Sequence, residues 1–135
     1  MRNDTRFFID RGVGSRIVPE GLRAAGWDVV TMDERYGLQR SQAVDDTEWI
    51  TDASTRGEIL ITKDRNITKH PFEVEAIVGA GARVLVIASG NITGADSLDH
   101  LLANAGRIER AIEVVGPWAL AVYAKRLGPI RLNLR

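Results

Sequence analysis

Four short, almost uninterrupted apolar runs constrain this chain more than anything else in it: Phe7-Phe8-Ile9, Trp27 to Met32, Ile59-Leu60-Ile61 and Arg83 to Ala88. A strand with one wet face alternates apolar and polar residues. These runs do not, so they read as strands buried on both faces, the pattern of a parallel sheet sandwiched between helices. The clearest is Glu58-Ile59-Leu60-Ile61-Thr62-Lys63-Asp64, which opens after Gly57 and closes abruptly in polar residues.

Helical segments separate the runs. Ser15 is placed to cap a helix carrying Ile17, Val18, Leu22 and Ala25, with Pro19 in its first turn, where a missing N–H is tolerated. Asp33 to Gln42 reads as a polar loop. Asp45 or Asp46 can cap a short helix whose inner face is Trp49, Ile50 and Ala53. Arg65 to His70 is basic and irregular, and Pro71 starts a helix with Phe72, Val74, Ile77 and Val78. The longest periodic stretch, about Ala95 to Val115, predicts one amphipathic helix over a sheet face and a candidate homodimer face. Ser89 to Gly94 forms a turn before it. After Gly116-Pro117, Trp118 to Ala124 is strand-like, and Gly128-Pro129 turns into a last strand, Ile130 to Leu134. The expected fold is α/β, a three-layer α/β/α domain over residues 1–135 with a mostly parallel central sheet and a short C-terminal β-hairpin.

Composition narrows the chemistry. There is no cysteine and there are 2 histidines, so thiol catalysis and the usual zinc sites drop out. Basic and acidic residues number 18 each. Any nucleic-acid contact must then come from a local patch, not from net charge. The polar Met1 to Thr5 start and the absence of a long apolar span point to a cytoplasmic protein with no membrane contact.

Parallel strands put their carboxyl ends on one edge, where open α/β sheets bind ligands. Asp10 and Asp64 end two strands there, and Asp46 begins the helix leading into the second. Three converging carboxylates repel one another unless a cation joins them. Hard oxygen ligands suit magnesium or manganese, ions that polarise phosphodiesters and activate water without help from cysteine or histidine. Arg11 and Lys63 flank the strand-end acids and could contact phosphate, as could a loop of Arg65, Lys69 and His70; Asn91 and Thr93 reach the same edge. Plainer roles exist for each: helix caps for Asp10 and Asp46, solvated surface for Asp45 and the basic loop, a loop position for Asp33. Gly12 and Gly14 make only a weak dinucleotide fingerprint, since Ile17 stands at the third glycine. The three tryptophans, far apart in sequence, read as core.

Phe8-Ile9-Asp10, Asp46 opening a helix through Ala53, and Ile59-Leu60-Ile61-Thr62-Lys63-Asp64 together resemble the PIN domain, over roughly residues 6 to 90. The likeness is to the compact branch related to the VapC toxin ribonucleases of toxin–antitoxin pairs. It implies a metal-dependent ribonuclease restrained by a cognate antitoxin, with RNA as substrate and Asp10, Asp46 and Asp64 as metal ligands. The further family acid, usually a Glu on an intervening helix, has no clear match, which leaves Asp33 or Asp45 as substitutes.

Two other classes compete. A receiver-like phospho-acceptor domain also places acids and a lysine at strand ends, although here Lys63 directly precedes an acid on the same strand. A non-catalytic PIN-like module could bind a partner through the basic carboxyl end, Lys125, Arg126, Arg131 and Arg135.

Overall fold

The computed structural model describes residues 3–88 and 91–133. The apolar runs become β1 (Arg6–Ile9), β2 (Asp28–Thr31), β3 (Ile59–Thr62) and β4 (Arg83–Ile87), followed by β5 (Trp118–Val122) and β6 (Leu127–Ile130). They form one sheet in the order β2-β1-β3-β4-β5-β6. Every neighbouring pair is parallel except the hairpin of β5 and β6. The helices are α1 (Ile17–Ala24), α2 (Met32–Tyr36), α3 (Leu38–Ser41), α4 (Asp46–Thr55), α5 (Pro71–Ala80), α6 (Gly94–Ala103) and α7 (Ala105–Ala111). This is the expected α/β architecture, C-terminal hairpin included.

Strand alternation divides the core in two. Phe7, Ile9, Ile59 and Ile61 pack with Val18, Leu22, Leu101 and Ile108 of α1, α6 and α7. Phe8 and Leu60 point the other way, against Met32, Trp49, Ile50 and Ile77 of α2, α4 and α5. Trp27 and Trp49 are core residues, as expected, with Phe7 packed on the first and Phe8 stacked on the second, whereas Trp118 is only partly buried at the start of β5.

Several expectations are corrected. Residues 33–42 are not a loop: Thr31 and Glu34 form a reciprocal capping box, Thr31 Oγ1 accepting from Glu34 N and the Glu34 carboxylate accepting from Thr31 N, which nucleates α2. Ser15 caps nothing, because α1 begins after Arg16. The long helix is two helices, divided at the fully buried Asn104. That side-chain amide donates to His100 O and Tyr123 O, each at 2.8 Å, closing α6 and tying it to the end of β5. Gly128 and Pro129 lie inside β6, not in a turn before it; Pro129 is tolerated because β6 is an edge strand. Ser89, Gly90, Leu134 and Arg135 lie outside the described residues. Among the described residues, no helix is long and apolar enough to cross a membrane.

Because β1 to β5 are parallel, their carboxyl ends share one edge. The helices that leave that edge or lead back from it, α4 and α5 among them, begin there, so Asp46 and Pro71 stand at the same rim as Asp10 and Asp64.

Candidate functional site

Asp10 follows β1 directly and is only 5% exposed. Its backbone N–H donates to Ile61 O at 2.9 Å, which fixes its height against β3. Alternation turns its side chain to the α4 side of the sheet, where it meets Thr62, the last residue of β3. Thr62 Oγ1 donates to Asp10 Oδ2 at 2.8 Å and accepts from the Asp64 backbone N–H at 3.0 Å. One buried hydroxyl thus joins the two strand ends. It leaves Asp10 Oδ1 buried and without a hydrogen-bond partner.

Asp46 is half-buried on the first turn of α4. Its Oδ1 accepts from Trp49 Nε1 at 2.9 Å, a bond that orients the carboxylate from a core indole one turn along. Burial pushes the Asp10 pKa up; the Thr62 hydrogen bond opposes this, the Asp46 charge adds to it, and Arg11 opposes it. Asp46 is therefore near enough to make ionisation of Asp10 costly.

The other predicted residues divide. Asp64 is exposed, and its Oδ1 accepts from Asn66 N at 2.9 Å, capping the 3-10 turn Arg65–Thr68. Asp45 is exposed beside Asp46; it occupies the N-cap position of α4 without a side-chain cap bond. Asp33, on α2, accepts a short hydrogen bond from Ser41 Oγ. Arg11 is exposed, with Nε donating to Ser41 O at 2.8 Å and a terminal guanidinium nitrogen to Val44 O at 2.7 Å, so it also clamps the segment entering α4 to the end of β1. Lys63, on the opposite face from Thr62, donates to Ile92 O at 3.1 Å. Arg65, Lys69 and His70 are exposed between β3 and α5, and Asn91 is exposed ahead of α6. Thr93 caps α6, accepting from Asp96 N. Beside Asp46 opens a cleft of ≈ 560 Å³ between the starts of α4 and α5, lined by Asp45, Thr47, Phe72, Glu73 and Glu75. Phe72, on the first turn of α5, is 77% exposed there.

Residues 5–89 match the family model described as "PIN like domain". Over 120 residues the chain is also 32% identical to the Mycobacterium tuberculosis (strain ATCC 25618 / H37Rv) protein named "Putative ribonuclease VapC45", covering 89% of this chain and 87% of that one. This chain belongs to the PIN-like domain family. No solved structure matches it. The matched span contains Asp10, Asp46, Thr62 and Asp64 and stops at the end of β4, so the β5–β6 hairpin of this PIN-like protein lies beyond the family model.

What the PIN-like site can hold follows from its donors. Among the described residues, no group of three His, Asp or Glu side chains is arranged to hold a metal ion. Of the three acids expected from the sequence, Asp10 and Asp46 interact through charge, and Asp64 is exposed at the adjoining strand end. That pair still fits a hard divalent cation. Magnesium keeps several waters and needs only one or two carboxylates, and an orphaned Oδ1 on a buried acid beside a second acid calls for a positive charge. Two residues contribute in ways the sequence reading did not assign. Thr62 was read as part of the Thr-Lys-Asp strand end and not as a partner of Asp10, and Trp49 was read as core alone, although its i, i+3 spacing from Asp46 puts the two on one helix face.

Proposed function

We propose that this chain is a magnesium- or manganese-dependent endoribonuclease, the toxin of a toxin–antitoxin pair, acting on RNA and restrained by a cognate antitoxin. The observation that carries the reading is the buried Asp10, with one oxygen held by Thr62, the other unpartnered, and Asp46 beside it. The named relative and the family support the same class.

Asp10 and Asp46 would hold the ion, with Asp64 at the adjoining strand end turned toward solvent. The chemistry such an ion supplies when bound is Lewis acidity toward a phosphodiester and water acidic enough to attack near neutral pH. The protein's part is positional. Thr62 holds Asp10 in one rotamer, Trp49 holds Asp46, and Arg11 keeps the start of α4 against β1. Arg65 and Lys69, exposed after Asp64, would contact phosphate, and Asp33 or Asp45 would assist at the rim.

The test is cleavage of single-stranded RNA with added magnesium or manganese, and with a chelator in their place. Asp10→Asn and Asp46→Asn should each lose at least about a hundredfold in rate, the equivalent of about 2.7 kcal/mol of transition-state stabilisation. Undiminished cleavage by both variants would remove the site, and no cleavage by the wild type with either ion would favour a non-catalytic module.

A further inference from the structure

The carboxyl edge of the sheet carries clustered charge of both signs, with Arg65, Lys69 and His70 exposed after β3. On the α4–α5 side, the cleft beside Asp46 is lined by Asp45, Glu73 and Glu75 and has no basic lining residue. On the other side, the segment from Pro117 to Asn133 contains Lys125, Arg126 and Arg131 and no acid. Two of these cations sit on the turn between β5 and β6. Since β5 is parallel to β3 and β4, that turn stands on the same edge as Asp10 and Asp64. One strand, β4, separates β3 from β5. Strand spacing places the turn about 10 Å along the rim from the end of β3.

The turn is also held in place. Tyr123 N donates to Arg126 O at 2.9 Å, closing it, and the buried Asn104 amide grips Tyr123 O from behind. The Arg126 guanidinium lies 3.9 Å from the centre of the Tyr123 ring. Gly128 makes room for this stack: a Cβ there would come within 3.0 Å of the Tyr123 ring and 3.1 Å of an Arg126 guanidinium nitrogen. Lys125 and Arg126 are both exposed. On a tethered turn, an exposed cation already stacked on a ring costs little further ordering when an anion binds.

We propose that the Tyr123–Arg126 turn binds the phosphate backbone of single-stranded RNA leaving the Asp10–Asp46 centre, so that the substrate runs across β4 toward the hairpin. This rests on the ribonuclease reading above. Lys125 and Arg126 attract phosphate without reading bases, beyond β4 from Arg65 and Lys69 at the end of β3. The turn therefore acts as a strand guide that holds the backbone and does not read sequence.

The test separates the guide from the site. A labelled single-stranded RNA of mixed sequence is titrated, with fluorescence anisotropy over a series of salt concentrations, against full-length protein carrying Asp10→Asn to prevent cutting. Adding Lys125→Ala and Arg126→Ala should reduce the slope of log affinity against log salt by about 1.4, from roughly 0.7 per phosphate contact, and weaken binding alike for different sequences. The charge-keeping pair Lys125→Arg and Arg126→Lys should retain the slope, and Lys125→Glu alone should weaken binding without disturbing the Tyr123 stack. An unchanged slope in the double alanine variant overturns the guide, even if the wild type cleaves RNA with manganese. A wild type that neither binds nor cleaves RNA overturns the guide and the ribonuclease reading together.

Discussion

Replacing Thr62 by Val keeps the shape and the β-branch of a fully buried strand residue and removes only its hydroxyl. That hydroxyl serves two partners, Asp10 Oδ2 and Asp64 N–H. A hydrogen bond to a charged group is worth about 1.5–3 kcal/mol, and a neutral backbone bond about 1 kcal/mol. Thr62→Val should therefore destabilise the metal-free protein by about 3 kcal/mol near neutral pH. Thr62→Ser, which loses a methyl and keeps the hydroxyl, should cost about 1 kcal/mol. Urea unfolding in chelator measures both. A cycle with Asp10→Ala isolates the bond: without the carboxylate, Thr62→Val costs only the Asp64 contact, leaving a coupling of about 2 kcal/mol. If Ser proved as costly as Val, or if the coupling fell within about 0.5 kcal/mol of zero, Thr62 would be ordinary packing and its bridging role would be refuted.

Asp10 also predicts a pH dependence whose sign is opposite to that of a salt-bridged carboxylate. Its folded pKa is raised by burial, so the native state holds its proton longer than the unfolded chain does. Between the ordinary carboxylate value and the raised one, stability contributed by this group falls as pH rises, and above both the full penalty persists. Asp10→Asn should consequently be more stable than the metal-free wild type at neutral pH and lose that advantage in acid, as urea unfolding at the two conditions would reveal. Added magnesium should raise the melting temperature of the wild type and leave Asp10→Asn unmoved. Elsewhere, Arg35 and Glu58 form a buried two-pronged ion pair, with contacts of 2.5 and 2.7 Å and side chains 8% and 4% exposed. Arg35→Met, which strands the Glu58 charge, should cost about 3–5 kcal/mol, whereas changing both to apolar residues should cost far less; chemical denaturation of the two variants checks the difference.

The sequence made the sheet legible because unbroken apolar runs have few alternatives: β1 to β4 fall where Phe7, Val29, Ile59 and Val84 put them. It made α2 illegible to periodicity, since Met32–Tyr36 is short and mostly polar, yet Thr-Met-Asp-Glu at 31–34 is a capping-box signature and could have been read as one. The break at Asn104 had no such signal. Apolar spacing runs straight through it, and only the hairpin's position explains why a fully buried amide belongs there.

The site shows the same division between what is local and what is not. Asp10, Asp46 and Asp64 could be found from strand ends and a helix start, but counting acids could not tell which of them face one another. Alternation decides that. Residues 8, 10, 60 and 62 turn to the α4 side, so Thr62 meets Asp10, while Lys63 turns to the α6 side and is taken by Ile92 O. Asp64 lies past the last paired residue of β3, where the chain is free to bend, and its carboxylate caps the next turn. The end of β3 therefore acts on the site first through a hydroxyl. The fixed geometry of Asp10 comes from Thr62, inside the ladder, and the acid just outside it is left facing solvent.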